Sequence, residues 1–187
     1  MATHTAHGID VHDAHRERGR LASRMLVRVG VIAGLAGGMM MAMWQMVVGA
    51  LAQEPTAVAG IDSSFWTAVT SIPSVIFGTD WFHGSFDFGA VFLGLMGHMM
   101  NSAVLGIAGV GIATTLFGAR PSLARAVAFG MMFGLILEVV IVNLIVNQVQ
   151  TIDTLYTSTP EWNWWVAHAL FGATVGLIAS TLLRRNA

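Results

Sequence analysis

Long apolar runs separated by short polar segments dominate the pattern along the chain. Four of these runs are long enough to cross a hydrocarbon core, which takes roughly 20 helical residues. They cover residues 27–52, 88–117, 123–149 and 162–183. We therefore predict an all-α integral membrane protein whose four transmembrane helices form a bundle.

The polar segments before and between the runs differ in length. Residues 1–24 are polar and show no apolar period, so we predict a flexible cytoplasmic tail ahead of a transmembrane domain over residues 25–187. The first outer loop, 53–87, contains a mostly apolar segment from Phe65 to Trp81 that is too short to span a membrane. An interfacial or re-entrant helix is predicted there, and a loop packed on the outer surface is the alternative.

The first run ends in Ala50-Leu51-Ala52, which resembles a signal-peptide cleavage site. The apolar stretch before it is longer than the ~7–15 residues of a signal-peptide core. An uncleaved span is therefore favoured over a signal peptide.

Two of the runs share a short motif centred on a histidine. Aligning His98 with His168 places GHMMNSAVLG over AHALFGATVG. In both segments a Gly or Ala precedes the histidine, and small residues follow it at the same spacing. The first and third runs also match in part, because each carries glycines four residues apart. These are Gly30, Gly34 and Gly38 in one run, and Gly130 and Gly134, followed by Glu138, in the other. We predict two tandem helical hairpins related by an axis along the membrane normal, with chance similarity as the alternative.

Composition agrees with a lipid environment. The chain is 55% hydrophobic and only 10% charged, whereas soluble domains carry about 25% charged residues. It has no cysteine, which excludes disulfides, thiol chemistry and cysteine-based zinc sites.

The basic residues, all arginines, predict the orientation of the four spans. They lie before the first span or in its first turn, between the second and third spans or in the first turn of the third, and after the fourth. The other two connections carry acids and no Lys or Arg. The arginines are Arg16, Arg18, Arg20, Arg24, Arg28, Arg120, Arg125, Arg184 and Arg185. The positive-inside rule then puts both termini in the cytoplasm and the protein in the inner (cytoplasmic) membrane.

Three ionisable residues lie well inside the predicted spans, away from the span ends that carry Arg28 and Arg125. His98, Glu138 and His168 each continue a row of small residues spaced four apart, and such rows mark helix–helix interfaces in membranes. An acid facing lipid at the membrane centre would cost ~2.5–3.5 kcal/mol. All three side chains are therefore predicted to face the bundle interior at a similar depth.

This cluster suggests a pathway for protons or a small cation. His98, Glu138 and His168 would form its centre, and Asn101, Asn143 and Asn147 would line the route to the outer surface. The alternative is purely structural hydrogen bonding between helices, as in a non-catalytic accessory subunit of a larger membrane complex.

A bound haem or metal is a further alternative, although no cofactor is assigned. Two histidines from parallel helices at similar depth suit axial haem ligation. Imidazole with soft thioethers suits copper(I), and the chain has twelve methionines. The candidate copper ligands are His98, His168, Met96, Met100, Met39 and Met43. Ordinary packing also explains methionines in an apolar core.

Other classes of function find no support in the motifs. No nucleotide-binding loop, hydrolase triad or zincin motif occurs, and Glu138 has no second internal carboxylate beside it for acid–base catalysis, so we expect no enzyme. The expected partners are the lipid bilayer and either a second copy or a larger membrane complex, with no nucleic acid.

The chain resembles the YagU-type family of small bacterial inner-membrane proteins. The resemblance rests on a glycine-rich first span, a long outer loop, Gly97-His98 in the second span, and PEWNWWVAHALFG from Pro160 at the start of the last. It implies a multi-span membrane fold and little about chemistry.

Overall fold

The computed structural model of the protein describes residues 11–118, 121–140 and 154–185. This part of the chain is helical, with five α-helices and two short 3-10 turns, at Thr79–Trp81 and Tyr156–Ser158. The helices are α1 (Val11–Ala52), α2 (Thr67–Phe77), α3 (Phe88–Phe117), α4 (Leu123–Leu137) and α5 (Glu161–Arg185).

Four stretches of helix among the described residues are long and apolar enough to cross a membrane. They are Ser23–Ala52, Phe88–Phe117, Leu123–Val140 and Glu161–Arg185. The prediction of an all-α protein with four such helices is therefore confirmed for the described residues. The predicted end of the third span, 141–149, lies outside them.

Helix α1 starts earlier than the apolar pattern indicates. It begins at Val11, so residues 11–24, assigned to the tail from sequence, continue the helix. Extending an existing helix adds one hydrogen bond per residue without a new nucleation step. The change from polar to apolar residues therefore shows where the apolar surface of α1 begins. It does not show where the helix itself begins.

Glycines bring neighbouring helices into backbone contact. A Cβ atom at Gly34 of α1 would fall on the backbone of Ser102 in α3, and one at Gly130 of α4 on the backbone of Gly172 in α5. The register of these contacts makes α3 antiparallel to α1, and α5 antiparallel to α4. Helix α1 also packs along α5, where Gly37 faces Phe171, so α1 and α5 form the centre of the bundle.

The two ends of the bundle differ in charge. One end, which we call the arginine end, carries Arg24, Arg28, Arg125, Arg184 and Arg185. There Arg184 Nη2 donates a hydrogen bond to the Pro121 carbonyl oxygen at 3.2 Å. The opposite end, the loop end, is formed by the end of α1, the start of α3 and the start of α5.

Helix α2 packs into the loop end with a buried polar face. Thr67, Thr70, Ser71 and Ser74 are all buried, and their hydroxyl groups are hydrogen-bonded. Two of these bonds tie α2 to the segment before α5, from Thr67 Oγ1 to the Ser158 carbonyl at 2.8 Å and between Ser74 Oγ and Thr154 Oγ1 at 2.6 Å. The predicted helix in the first loop thus exists, and its polar face is turned inward.

Candidate functional site

Close contact between α1 and α3 positions His98. A Cβ atom at Gly38 would lie 2.7 Å from Ser102 Cβ, so the α1 backbone lies directly against α3 at this level. His98 is one turn from Ser102, and its Nε2 is 2.9 Å from the Gly38 carbonyl oxygen. The ring therefore bridges α3 to the backbone of α1.

The contact between α4 and α5 positions His168 and Glu138 in a similar way. A Cβ atom at Gly134 would fall on the carbonyl oxygen of His168. Glu138 lies one turn beyond Gly134, and its Oε2 is 2.8 Å from His168 Nδ1. His168 Nδ1 also lies 2.9 Å from the Trp164 carbonyl oxygen. The histidine of α5 therefore bridges to an acidic side chain of α4.

Glu138 occupies a change in helical geometry. The regular helix α4 ends at Leu137, and residues 138–140 form a wider π-helical turn. The Glu138 N–H still donates to the Gly134 carbonyl, and the residue is fully buried. Single π-helical turns inside α-helices frequently occur at functional sites.

The hydrogen bonds fix which ring nitrogen carries a hydrogen in the neutral histidines. A carbonyl oxygen can only accept, so His98 Nε2 and His168 Nδ1 are the donors. In a neutral imidazole the other nitrogen keeps its lone pair. His98 Nδ1 and His168 Nε2 are then the atoms left to accept a hydrogen bond or bind a proton.

Both histidines line one cavity of about 310 Å³ between the helices. Of the described residues that line it, four are polar, namely Gln45, His98, Asn101 and His168, and the rest are mainly apolar. The apolar part comprises Met41, Ala68, Ile72, Val75, Ile76, Gly97, Leu155 and Trp164. Glu138 does not line the cavity, but it contacts His168, which does.

The structure separates the predicted pathway residues into three groups. His98, His168 and Asn101 share the cavity wall, and Glu138 is joined to it through His168. Asn143 and Asn147 lie outside the described residues.

The methionines proposed as copper ligands lie away from this cavity. Met39, Met43, Met96 and Met100 are each between 44 and 64% exposed, and none of them lines the cavity. Among the described residues, no three His, Cys, Asp or Glu side chains are grouped closely enough to hold a metal ion. The geometry of the described residues therefore gives no support to the copper alternative.

Gln45 and Met41 belong to the cavity wall and were not singled out from sequence. Gln45 is 4% exposed, and its Nε2 has no hydrogen-bond partner among the described residues. It lies seven residues after Gly38, on the face of α1 that carries the glycine row. A buried amide at that spacing was the signal that could have identified it.

No protein-family model, curated protein or solved structure matches this chain. The resemblance to the YagU-type family therefore stays a prediction.

Proposed function

We propose that this is a small multi-span membrane protein that transfers protons through His98, His168 and Glu138. The observation that supports the proposal most directly is the 2.8 Å contact between His168 Nδ1 and Glu138 Oε2, beside a cavity that His98 also lines. Imidazole and carboxyl groups take up and release protons, and ionisable residues inside membrane helices commonly form proton relays.

The size of the cavity suits a water-filled relay. At ~30 Å³ for each water molecule, its 310 Å³ has room for about ten. Water there can contact the free nitrogens of the two histidines and the amide of Asn101. When a proton is accepted at His168 Nε2, the other ring nitrogen that can release one is Nδ1, which lies 2.8 Å from Glu138 Oε2.

The proposal includes an orientation in the inner membrane, with both termini cytoplasmic. The described arginines all lie at one end of the bundle, and by the positive-inside rule that end faces the cytoplasm. Because the chain has no cysteine, a single Ser85→Cys variant reports the location of the loop end. Labelling by a membrane-impermeant maleimide in intact cells with a permeabilised outer envelope supports this orientation, and labelling only after lysis overturns it.

The same proposal treats the pair α1–α3 and the pair α4–α5 as two tandem hairpins. The matched glycine contacts and the matched positions of His98 and His168 support a duplication.

Proton flux into liposomes tests the function. The full chain is reconstituted with an internal pH dye, and a potassium diffusion potential drives protons inward. We expect flux above that of empty liposomes, and about a tenfold or greater loss in His168→Gln and Glu138→Gln, since proton transfer by a positioned group contributes at least that much.

His83→Gln is the matched control, because His83 lies in the loop after α2 and does not line the cavity. Its flux should equal that of the unmodified protein. Absence of flux in the unmodified protein, or equal flux in all variants, contradicts the proposal and favours the accessory-subunit alternative.

A further inference from the structure

The buried amide of Gln45 is a feature of the cavity that proton transfer does not use. Gln45 lines the cavity at 4% exposure, and its Nε2 has no hydrogen-bond partner among the described residues. A buried donor without a partner lowers stability, so such groups usually serve a ligand or an ordered water. Its position indicates that the cavity accepts a molecule with an oxygen facing α1.

The exposed residues of the cavity wall show where it meets the surroundings. Ile76 at the end of α2 is 76% exposed, and Asn101 of α3 is exposed as well. Asn101 is thirteen residues after Phe88, the first residue of α3, which places it about 20 Å along the helix axis at ~1.5 Å per residue. The opening is therefore on the side of the bundle, at a depth within the apolar span of α3.

Apolar side chains are exposed on the two helices that border this opening. Phe77, which follows Ile76 in α2, is 56% exposed, and Met100, which precedes Asn101 in α3, is 64% exposed on a face that does not line the cavity. In a membrane these side chains contact hydrocarbon, so a molecule that enters here arrives dissolved in the lipid.

The polar groups of the wall define what that molecule must offer. The amide Nε2 of Gln45 donates a hydrogen bond, while Nδ1 of a neutral His98 accepts one, because its Nε2 is bonded to Gly38. Among the described residues, no Asp, Glu, Lys or Arg lines the cavity. The matching ligand is uncharged and carries both a hydroxyl hydrogen and an acceptor oxygen.

The volume and walls limit the size of the ligand. A cavity of about 310 Å³ lies at the lower end of ligand sites, which run from about 300 to 1,000 Å³. It has room for a single ring with small substituents. Trp164 and Met41 provide an aromatic face and a thioether, both of which contact aromatic rings favourably.

We propose that the cavity binds an uncharged, lipid-soluble ring compound with a hydroxyl group and a second oxygen, of the hydroquinone class, which enters from the side between α2 and α3. Gln45 donates to one oxygen, and His98 accepts from the hydroxyl group of the other. The inference rests on the proposed function because both assign a role to His98 in the same cavity. The binding measurement itself does not require proton flux.

Calorimetric titration of trimethylhydroquinone tests the proposal. The full chain in lipid nanodiscs is titrated without oxygen, with empty nanodiscs as the background. We expect saturable binding that is about tenfold or more weaker in Gln45→Leu, because a site built around a hydrogen bond discriminates strongly when the bond is lost. The dimethyl ether of the same compound keeps both oxygens and lacks the hydroxyl hydrogens, and it should also bind at least about tenfold more weakly.

Two glycines of α3 provide a matched pair of variants. A Cβ atom at Gly97 would meet only Ile72 Cγ2 among the atoms near it, at 3.7 Å, so Gly97→Leu fills the cavity without striking the backbone. Gly111→Leu adds the same side chain to the same helix at a position where a Cβ atom meets nothing within 4 Å. Gly97→Leu should abolish binding, and Gly111→Leu should leave it unchanged.

The outcomes separate this proposal from the proposed function. No saturable binding to the unmodified protein, equal binding of the dimethyl ether, or full binding to Gly97→Leu overturns the ligand proposal, whatever the proton flux. Saturable binding that shows the expected losses supports it, even where flux is absent and the proton-transfer proposal alone fails.

Discussion

The pair α1–α3 and the pair α4–α5 are held together in the same way, yet they use their histidines differently. In both pairs a glycine brings one helix against the backbone of the other, at Gly34 and at Gly134. One turn further on, His98 meets a backbone carbonyl, whereas His168 meets the carboxylate of Glu138. The two pairs therefore share a packing scheme. In one pair the histidine contacts a backbone carbonyl of the neighbouring helix, and in the other it contacts an ionisable side chain.

The difference depends on which helix of each pair has room for a side chain. At Gly38 a Cβ atom would lie 2.7 Å from Ser102 Cβ, so no acid fits there. The residue that matches Ser102 in α5, four residues after the histidine, is Gly172. A Cβ atom at Gly172 would fall on the backbone of Gly130 and Gly134, so this glycine permits the close approach of α4 and α5. The α1 position that matches Glu138 therefore has no room for an acid, whereas α4 carries Glu138 against His168.

The largest effect is expected when the shared glycine contacts are broken. Gly134→Leu and Gly34→Leu would each place a side chain on a backbone carbonyl, of His168 and Ser102 respectively. Overpacking of this kind should lower the free energy of unfolding by about 3 kcal/mol. Unfolding by SDS in mixed micelles measures the loss, with Gly111→Leu as the control because its Cβ atom meets nothing within 4 Å.

Similar losses in the two variants would sharpen the view that both pairs share one packing scheme. A Gly134→Leu protein as stable as Gly111→Leu would show that α4 and α5 do not approach as closely as described.

A smaller effect should separate the two histidines. His168→Leu removes the ring partner of the fully buried Glu138, and loss of such a partner costs about 2 kcal/mol. His98→Leu removes only a bond to the Gly38 carbonyl, which already accepts a helical hydrogen bond within α1, so its cost should be about 0.6 kcal/mol. The same unfolding assay measures both, and equal losses would remove the distinction between the pairs.

The smallest effect is expected from making the α4–α5 contact neutral. Glu138→Gln keeps an oxygen beside His168 Nδ1 but loses the charge of the carboxylate, and the weaker contact should cost about 1 kcal/mol. The variant should therefore fold, with a slightly lower unfolding free energy. A loss as large as that of His168→Leu would mean that the Glu138 carboxylate also stabilises the fold through contacts other than the one with this ring.

Much of the fold could be predicted from the sequence. The second span matches α3 at both ends, and the fourth differs from α5 by one residue at its start and two at its end. Apolar length and small-residue spacing are local properties, and they also predicted that His98 and His168 face the interior. The start of α1 was missed because a polar extension of a helix leaves no apolar signal.

The details of the site could not be predicted in the same way. Met96 and Met100, one turn apart and flanking His98, suggested copper as an alternative. Neither lines the cavity, because residues two positions from a histidine lie on another face of the helix. The spacing of Gln45 from Gly38 places it on the inward face of α1, but the sequence does not show that this amide faces a cavity together with both histidines.

The sequence by itself determined the helical class, the four apolar segments, the separation of arginines from acids, and the inward face of each histidine. Only the tertiary structure decided that His98 bonds to a backbone carbonyl and His168 to Glu138, and that Gln45 and both rings enclose one cavity. The reason is physical. Hydropathy and helical period depend on neighbours along the chain, while the partner of a buried polar group depends on which distant helix approaches it, and at what register.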